Sequence, residues 1–258
     1  MRKVGTVMTS AKEIYDYING FAPFESAMSF DNVGILVGSE KKWSERVIAA
    51  LDVDKKVINE AVEKNAGIII THHPIIFNPI KQLSENSVPY LAAKYGITVI
   101  SAHTNLDIAR GGVNDSLAKC IGVDTEEYFD SECALIGTLP ENISCQQFAE
   151  NIKNRLSLKG LRYTDAGKKI KRVVVSCGAG GDNIFLAAKL KADAFVTGEI
   201  KHHEIVFAND NSIAIFDLGH FGSEDMIIPR LVKMLGEKFS GTKFEQAESD
   251  SDGVLYIS

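Results

Sequence analysis

The sequence lacks any C-x-x-C pair, although it contains four cysteines, Cys120, Cys133, Cys145 and Cys177. Their wide spacing gives no support for a zinc knuckle or a redox pair. In a chain of 258 residues, such cysteines are typical of reduced, buried thiols, so we expect a cytoplasmic protein. The start, residues 1–6, has no apolar segment behind it, which predicts that no signal peptide is present.

Long apolar runs and long basic runs are missing as well. No apolar run approaches the roughly 20 residues that a membrane-spanning helix needs, so we expect no membrane partner. The net charge is -6, from 28 Lys and Arg against 34 Asp and Glu. Because nucleic-acid affinity depends on basic surface, this balance makes nucleic acid an unexpected partner.

Short apolar runs alternate with helical segments in the first half of the chain. Strands are predicted over residues 47–51, 67–71 and 97–101, and helices over about 55–64, 88–95 and 113–121. Ser10 and Glu13 form a capping-box pattern at the start of an earlier helix. Unbroken runs such as 67–71 suit strands covered on both faces, as in a parallel sheet.

The same alternation resumes after a less regular middle near residues 130–165. Strands are predicted over 173–177, 194–197 and 212–216, followed by a long helix from about Glu224 to Phe239. This alternation predicts an α/β fold with mainly parallel sheets. The two halves resemble each other weakly, which favours two similar α/β lobes, 1–125 and 126–258, with a single structural domain formed by their close packing as the alternative.

All six histidines lie in four short motifs at predicted strand ends. The motifs are Thr71-His72-His73-Pro74, His103-Thr104-Asn105-Leu106-Asp107, His202-His203 and His220-Phe221-Gly222-Ser223-Glu224. Imidazole is the commonest protein metal ligand, and ligand sites in α/β sheets gather beyond the carboxyl ends of strands. The sequence therefore predicts a metal centre whose candidate ligands are His72, His73, Asp107, His220 and Glu224.

The adjacent pair His72 and His73 favours two ions over one. Neighbouring side chains of an extended backbone point to opposite sides, and Pro74 biases His73 towards extended conformations. Two ions spaced by roughly 3.5–4 Å, as in two-metal hydrolytic sites, would each take one histidine, with a carboxylate as bridge. Nitrogen and oxygen ligands without a thiolate are compatible with Zn, Fe, Mn or Co.

Each motif alone also has a purely structural interpretation. A histidine doublet is often a chance surface feature, and the segment 103–107 fits a turn with polar side chains bonded to backbone. Ser223 and Glu224 fit a helix start, with Ser223 as its cap. The occurrence of all motifs at strand ends favours the metal centre.

Other polar residues near these motifs have open roles. His103 is our candidate acid/base or substrate contact, with a hydrogen bond that orients a metal ligand as an equal alternative. For Glu199, His202 and His203, a structural role at a helix start is favoured over catalysis. Asp31 and Asn32 precede a strand, and a turn or a supporting hydrogen bond is favoured over direct metal ligation.

The motifs in this order resemble the Nif-three-like family, whose members are often labelled GTP cyclohydrolase 1 type 2 homologues. The resemblance spans nearly the whole chain and rests on five segments. They are Phe30-Asp31-Asn32-Val33-Gly34-Ile35-Leu36-Val37-Gly38, the THHP motif at 71–74, the HTNLD motif at 103–107, Thr197-Gly198-Glu199-Ile200-Lys201-His202-His203 and the GHFGSE motif at 219–224. Phe30 stands where an aromatic Trp is common, and the chain is too short for the inserted domain of longer relatives.

The resemblance implies two α/β lobes with a dinuclear metal site in the cleft between them, and a ring-shaped homohexamer. It further implies that His72, Asp107 and Glu224 hold one ion, and that His73, His220 and Glu224 hold the other. Glu224 would then bridge the two ions.

Three functions are compatible with these observations. The first is a metal-dependent hydrolase, cyclohydrolase-like by resemblance, that acts on a nucleotide or related small molecule. The second is a non-enzymatic structural or regulatory metal-binding protein. The third, a toroidal nucleic-acid-binding protein, rests only on the implied ring shape, and the acidic net charge counts against it.

Overall fold

The structure is a computed structural model that describes residues 8–257, so the start considered for a signal peptide lies outside the described residues. The chain forms two compact units. Unit 1 comprises the described residues up to Leu106 together with Ile228–Ser251, and unit 2 comprises Asp107–Ile227 and the described residues from Asp252. The chain therefore enters unit 2 near residue 107, earlier than the expected boundary near residue 125, and a later segment returns to unit 1.

Unit 1 is built on a five-stranded sheet with the strand order β13-β4-β5-β6-β2. Strand β2 runs antiparallel to β6, and all other neighbours are parallel. Strands β1 and β3 form a separate two-stranded sheet. The elements of unit 1 are β1 (Thr9–Ser10), α1 (Ala11–Phe21), β2 (Gly34–Val37), β3 (Trp43–Ser44), β4 (Arg46–Ala50), α2 (Lys55–Glu63), β5 (Ile68–Thr71), α3 (Val88–Lys94), β6 (Thr98–Ser101), most of α4 (Thr104–Ile108), α10 (Ile227–Lys238) and β13 (Lys243–Gln246).

The core of unit 1 follows from its β-branched strands. Every residue of β5 is buried, as expected for a strand covered on both faces. On one face, Ile48, Ile69 and Val99 from three adjacent strands pack with Val57 and Ala61 of α2. Burial of each large aliphatic side chain contributes roughly 1.5–3 kcal/mol, so this layer holds the strand ends in fixed positions.

Helix α1 begins at the capping box that the sequence predicts. The Ser10 hydroxyl accepts from the Glu13 backbone N–H, and the Glu13 carboxylate accepts from the Ser10 backbone N–H. Ile14 and Ile18, one turn apart, are fully buried. Tyr15 is only half-buried and stacks on Phe24 at a ring-centroid distance of 4.2 Å.

Unit 2 is built on a six-stranded sheet with the strand order β7-β8-β10-β11-β12-β9. The three strands β10, β11 and β12 are parallel, whereas β7, β8 and β9 add on antiparallel. Its elements are the end of α4, α5 (Val113–Ile121), β7 (Asp124–Phe129), β8 (Ala134–Ile143), α6 (Cys145–Arg155), β9 (Arg162–Tyr163), β10 (Ile170–Ser176), α7 (Ile184–Lys189), β11 (Ala194–Thr197), α8 (His202–Asp210), β12 (Ala214–Asp217) and α9 (His220–Glu224). The α/β class is confirmed, with a parallel centre and antiparallel margins in this unit.

The long helix predicted from Glu224 to Phe239 is wrong in its first part. The structure has α9 over His220–Glu224 and a separate α10 over Ile227–Lys238. Pro229 explains the interruption, because proline lacks an N–H and its ring clashes with the carbonyl of the residue four positions earlier. Proline is tolerated only in the first turn of a helix, so α10 starts two residues before it.

Four strands have no counterpart in the predictions, namely the two-residue strands β1 and β3 and the longer strands β7 and β13. Strand β7 has the sequence Asp-Thr-Glu-Glu-Tyr-Phe, and β13 has Lys-Phe-Glu-Gln. Both lie at a sheet edge and are rich in charge, so neither carries the apolar pattern that marked the inner strands.

Across residues 8–257, no helix is long and apolar enough to cross a membrane. All four cysteines are free thiols, two of them buried.

Glu60 on α2 fixes the chain after β13. Its carboxylate accepts from the backbone N–H groups of Glu248 and Ser249, at 3.0 and 2.9 Å, and forms an ion pair with Lys64 at 2.8 Å. Burial alone would raise the pKa of this carboxyl, but hydrogen bonds from Lys64, Ser249 and Glu248 outweigh it and lower the pKa to about 2.

We expect Glu60→Gln to lower the free energy of unfolding by about 1–2 kcal/mol at pH 7, because hydrogen bonds to a charged group are lost. Since the folded pKa of about 2 lies below the ordinary 4.5, this stabilisation is complete above pH 4.5. It is lost as the pH falls from about 4.5 to about 2. Urea unfolding at several pH values measures both effects, with the exposed Glu63→Gln on the same helix as control. Equal acid sensitivity of the Glu60 variant and wild type would contradict the assignment.

Candidate metal centre

Three parallel strands of unit 1 end at one edge and deliver polar residues there. Asp52 follows β4, His72 and His73 follow β5 directly, and His103 follows β6. Because the carboxyl ends of parallel strands meet at the same edge of a sheet, these side chains converge. The strand-end histidines predict this edge from the sequence, but Asp52 was missed because nothing in the sequence distinguishes it from the polar start of α2.

The three histidines of this edge form one group. The ring nitrogens of His72, His73 and His103 that would serve as ligands lie within 4.8 Å of one another. His72 is fully buried, and the side chain of His103 is 17% exposed. The expectation that His72 and His73 point to opposite sides is wrong, since their ring centroids are 5.0 Å apart. Strand β5 ends at Thr71 and both histidines lie in a bend, so strand alternation no longer applies.

In each of these histidines, the ring atom Nδ1 has a hydrogen-bond acceptor as partner. The partners are the Ala102 carbonyl oxygen for His72 at 2.9 Å, Asp52 for His73 at 2.8 Å and Asp31 for His103 at 2.9 Å. A carbonyl or carboxylate acceptor favours the tautomer with hydrogen on Nδ1, which makes Nε2 the nitrogen with the lone pair. Metal-ligating histidines almost always have such a partner on the nitrogen that does not bind the ion.

Asp31 supports His103 instead of offering itself as a ligand. One carboxylate oxygen accepts from His103 Nδ1, and the other accepts from the backbone N–H and hydroxyl of Thr104. Burial would raise the pKa of Asp31, but the hydrogen bonds from His103 and Thr104 outweigh it and lower the pKa to about 2. These bonds fit the turn or supporting role expected for Asp31, and Asn32 donates to the Ile76 carbonyl at 2.6 Å.

Unit 2 repeats the arrangement at the ends of its own parallel strands. Cys177 follows β10, Glu199 follows β11, and His220 follows β12 at the start of α9. Glu224 lies one helical turn after His220, and its Oε2 is 3.3 Å from His220 Nε2. His220 Nδ1 bonds to Glu199 Oε1 at 2.6 Å, so this histidine follows the same pattern as those of unit 1.

Two buried carboxylates of unit 2 lie near each other. Asp107 and Glu224 are 6% and 2% exposed, and each contributes an oxygen to a candidate ligand group in which these atoms are within 4.8 Å. Like charges this close in a poorly solvated environment repel each other unless a proton or a cation compensates. The Cys177 thiol also donates to Asp107 Oδ1 at 3.4 Å. Burial, followed by the charges of Asp107 and Glu224, raises the pKa of this thiol well above its ordinary value, which keeps it a donor.

Gly178 permits the close approach of backbone to this acidic group. Its φ is +55°, and a Cβ there would collide with the Glu224 carboxylate. Its N–H donates to the Ser223 hydroxyl at 2.9 Å, and that hydroxyl donates to the His220 carbonyl at 2.8 Å. The alternative in which Ser223 caps a helix is therefore wrong, because α9 begins at His220 with Gly219 as its N-cap.

The doublet His202-His203 does not join these groups. Both histidines are exposed in the first turn of α8, and no group of three potential ligands found within residues 8–257 includes them. Glu204 completes that helix start by accepting from the Lys201 backbone N–H at 2.6 Å. The structural role expected for the doublet fits this placement. Glu199 differs from the doublet, because its carboxylate is the hydrogen-bond partner of His220 Nδ1.

The donors fit a divalent ion. Imidazole Nε2 atoms and buried carboxylate oxygens suit Zn, Fe, Mn and Co, and each histidine is held by the second hydrogen bond that such sites require. The structure thus contains groups of His, Asp and Glu residues that could bind a metal. These groups and the two α/β units define the class of protein, an α/β protein with a candidate metal centre.

Comparison with known proteins agrees with this class. The model of the Duf34/NIF3 (NGG1p interacting factor 3) family matches residues 9–252, and the chain belongs to this family. It is 33% identical over 228 residues to a "GTP cyclohydrolase 1 type 2 homolog" of Clostridium acetobutylicum, which covers 83% of the chain and 84% of the relative. A protein of the same name from Campylobacter jejuni is 35% identical over 228 residues, covering 86% and 90%.

A solved structure shares the fold. The crystal structure of Staphylococcus aureus protein SA1388 superposes with a TM-score of 0.87 at 26% identity. The match covers 96% of this chain and 99% of that chain. The fold and family expected from the sequence are therefore confirmed.

We expect Glu199→Ala to weaken metal binding by about 10–100-fold, because His220 loses the partner that fixes its ring orientation. Competition with a chromophoric chelator measures the affinity. Asp182→Ala removes an exposed carboxylate of the same unit that pairs with Lys201, and serves as the control. Equal affinities of the two variants would show that Glu199 does not orient a ligand.

Proposed function

We propose that this protein binds two divalent metal ions through His72, His73, Asp107, His220 and Glu224 and hydrolyses a nucleotide-like small molecule. The observation that carries the proposal is the shared environment of the histidines. In His72, His73 and His220, Nδ1 is engaged by an oxygen acceptor, so Nε2 is the atom suited to a metal.

The ligands divide into two sets that share one carboxylate. His72, Asp107 and Glu224 hold one ion, and His73, His220 and Glu224 hold the other, as the family resemblance implies. Within unit 2, the proximity of Glu224 Oε2 to His220 Nε2 supports their joint role. The ions are Zn, Fe, Mn or Co, the metals that this donor chemistry suits.

When bound, two such ions supply Lewis-acid chemistry that activates water and polarises the bond to be cleaved. His103 moves the proton in this proposal. Asp31 holds its Nδ1, the partly exposed ring can reach a substrate, and Nε2 accepts or donates the proton. The low pKa of Asp31 keeps that carboxylate charged, so it remains the acceptor for His103 Nδ1 during the transfer.

The names of the relatives support a nucleotide-like substrate, since both are described as homologues of a GTP cyclohydrolase. Hydrolysis of a ring C–N bond or a phosphoester is the reaction class that the site serves. We further propose a homohexamer, from the family resemblance, and a cytoplasmic location, supported by four free thiols.

The first test of the metal assignment is the ion content of three proteins. We expect two ions per chain in wild type, loss of both in Glu224→Ala, and loss of mainly one in Asp107→Ala. Elemental analysis of protein purified without a tag, combined with anomalous scattering, measures this. Glu150→Ala removes an exposed carboxylate of α6 and should retain both ions. Equal metal content in the Glu224 and Asp107 variants would contradict a bridging Glu224.

A second test separates proton transfer from metal binding. We expect His103→Ala to retain near-normal metal content and to lose about 10²-fold or more in hydrolytic rate, the usual scale for a positioned acid or base. His203→Ala, an exposed histidine of α8, should change neither quantity. A parallel fall of metal content and rate would make His103 a ligand. No hydrolysis of nucleotides, phosphoesters or cyclic amides by metal-loaded wild type would favour the non-enzymatic function.

A further inference from the structure

Two large aromatic side chains of unit 1 are exposed beside the histidine group. Phe30 is 66% exposed and Phe77 is 44% exposed. Their ring centroids are 6.4 Å apart at an interplanar angle of 55°. The Phe77 ring also meets the His103 ring edge to face, at 6.1 Å and 83°. We refer to Phe30 and Phe77 as the ring pair, and it adjoins the residue proposed to move protons.

Hydrogen bonds fix the segments that carry these rings. Asp31, next to Phe30, bonds to His103 and Thr104 through both carboxylate oxygens. Asn32 then donates to the carbonyl of Ile76, the residue before Phe77. The two rings are therefore anchored to the same network that orients His103. An exposed aromatic pair held in place in this way is preorganised for a ligand.

We propose that the ring pair binds the flat heteroaromatic ring of the substrate and presents it to His103. This inference rests in part on the proposed function, because it specifies the substrate class of the same site. Aromatic side chains stack on the faces of bases largely regardless of base identity, since every base has a π-face. Ligand pockets are typically lined by aromatic side chains with a few polar groups that fix orientation. Here His103 supplies such a polar group.

The position of the ring pair favours a small-molecule ring over a second copy of the chain. Phe77 contacts a histidine at the carboxyl edge of the sheet, where ligands of α/β proteins gather. A protein interface needs a broad contact area, whereas a flat ligand needs only two ring faces next to a functional group. The occupation of this surface by a second copy remains a distinct outcome of the test.

Binding of three probes to wild type and variants tests the proposal by calorimetry. Guanosine carries the ring without phosphates, ATP carries a different purine, and inorganic triphosphate carries no ring. We expect Phe30→Ala and Phe77→Ala to lower the affinity for guanosine and for ATP by about tenfold or more, the usual scale for loss of one stacking partner. Triphosphate binding should not change. Phe77→Tyr keeps a ring and should bind guanosine as wild type does, as should Tyr95→Ala, which removes an exposed aromatic at the end of α3.

Measurements of guanosine on metal-depleted protein separate this inference from the metal proposal. If wild type does not bind two ions but the Phe30 and Phe77 variants still bind guanosine more weakly, the proposed function is contradicted and the ring-pair proposal is supported. If two ions bind but the ring variants bind guanosine as wild type does, only the ring-pair proposal is overturned. It is also overturned if wild type shows no guanosine binding at millimolar concentrations. A changed oligomeric mass of the ring variants with unaltered guanosine binding would show that a second copy covers this surface.

Discussion

The hydrogen bond on Nδ1 is the interaction on which the candidate centre depends. In an isolated imidazole the two tautomers have comparable energies, so a histidine does not by itself present one defined ligand atom. An acceptor placed at Nδ1 selects the tautomer and fixes the ring plane at the same time. In unit 1 the acceptors are a strand-end carbonyl and two aspartates, and in unit 2 the acceptor is Glu199. Asp52, Ala102 and Glu199 reach their histidines because parallel strands hold neighbouring chain segments in register. Asp31 reaches His103 from the segment before β2, which pairs antiparallel with β6.

The sheets determine which segments can meet. In unit 1, the pairing of β4 with β5 and of β5 with β6 aligns Ala50, Thr71 and Ser101 at one edge. In unit 2, the pairing of β10, β11 and β12 aligns Ser176, Thr197 and Asp217 in the same way. The candidate metal ligands follow these positions within a few residues. Fully buried aliphatic strands therefore stabilise a rigid frame, and the candidate metal ligands lie beyond the ends of these strands.

Much of this arrangement could be predicted from the sequence, and the exceptions have physical reasons. Apolar runs located the inner strands, and the strand-end histidines located the sheet edges where the candidate ligands gather. Asp52 was missed because a carboxylate before a helix has the appearance of an ordinary capping residue, and only the fold brings it to His73. Cys177 was missed because a single thiol gives no spacing pattern. The divergence expected for His72 and His73 failed because both residues lie in a bend after β5, which ends at Thr71 as predicted, so the extended backbone does not persist there.

The measurement that tests this account most directly is the tautomer and metal-binding state of each histidine, read from two-bond proton–nitrogen correlation spectra of the imidazole rings. Spectra recorded before and after zinc addition should show hydrogen on Nδ1 in His72, His73 and His220, with metal-induced shifts confined to Nε2. His103 should retain the Nδ1–H tautomer without the shift of a metal-bound nitrogen. Hydrogen on Nε2 in His72, His73 or His220, or metal bound through Nδ1 in any of them, would contradict the account.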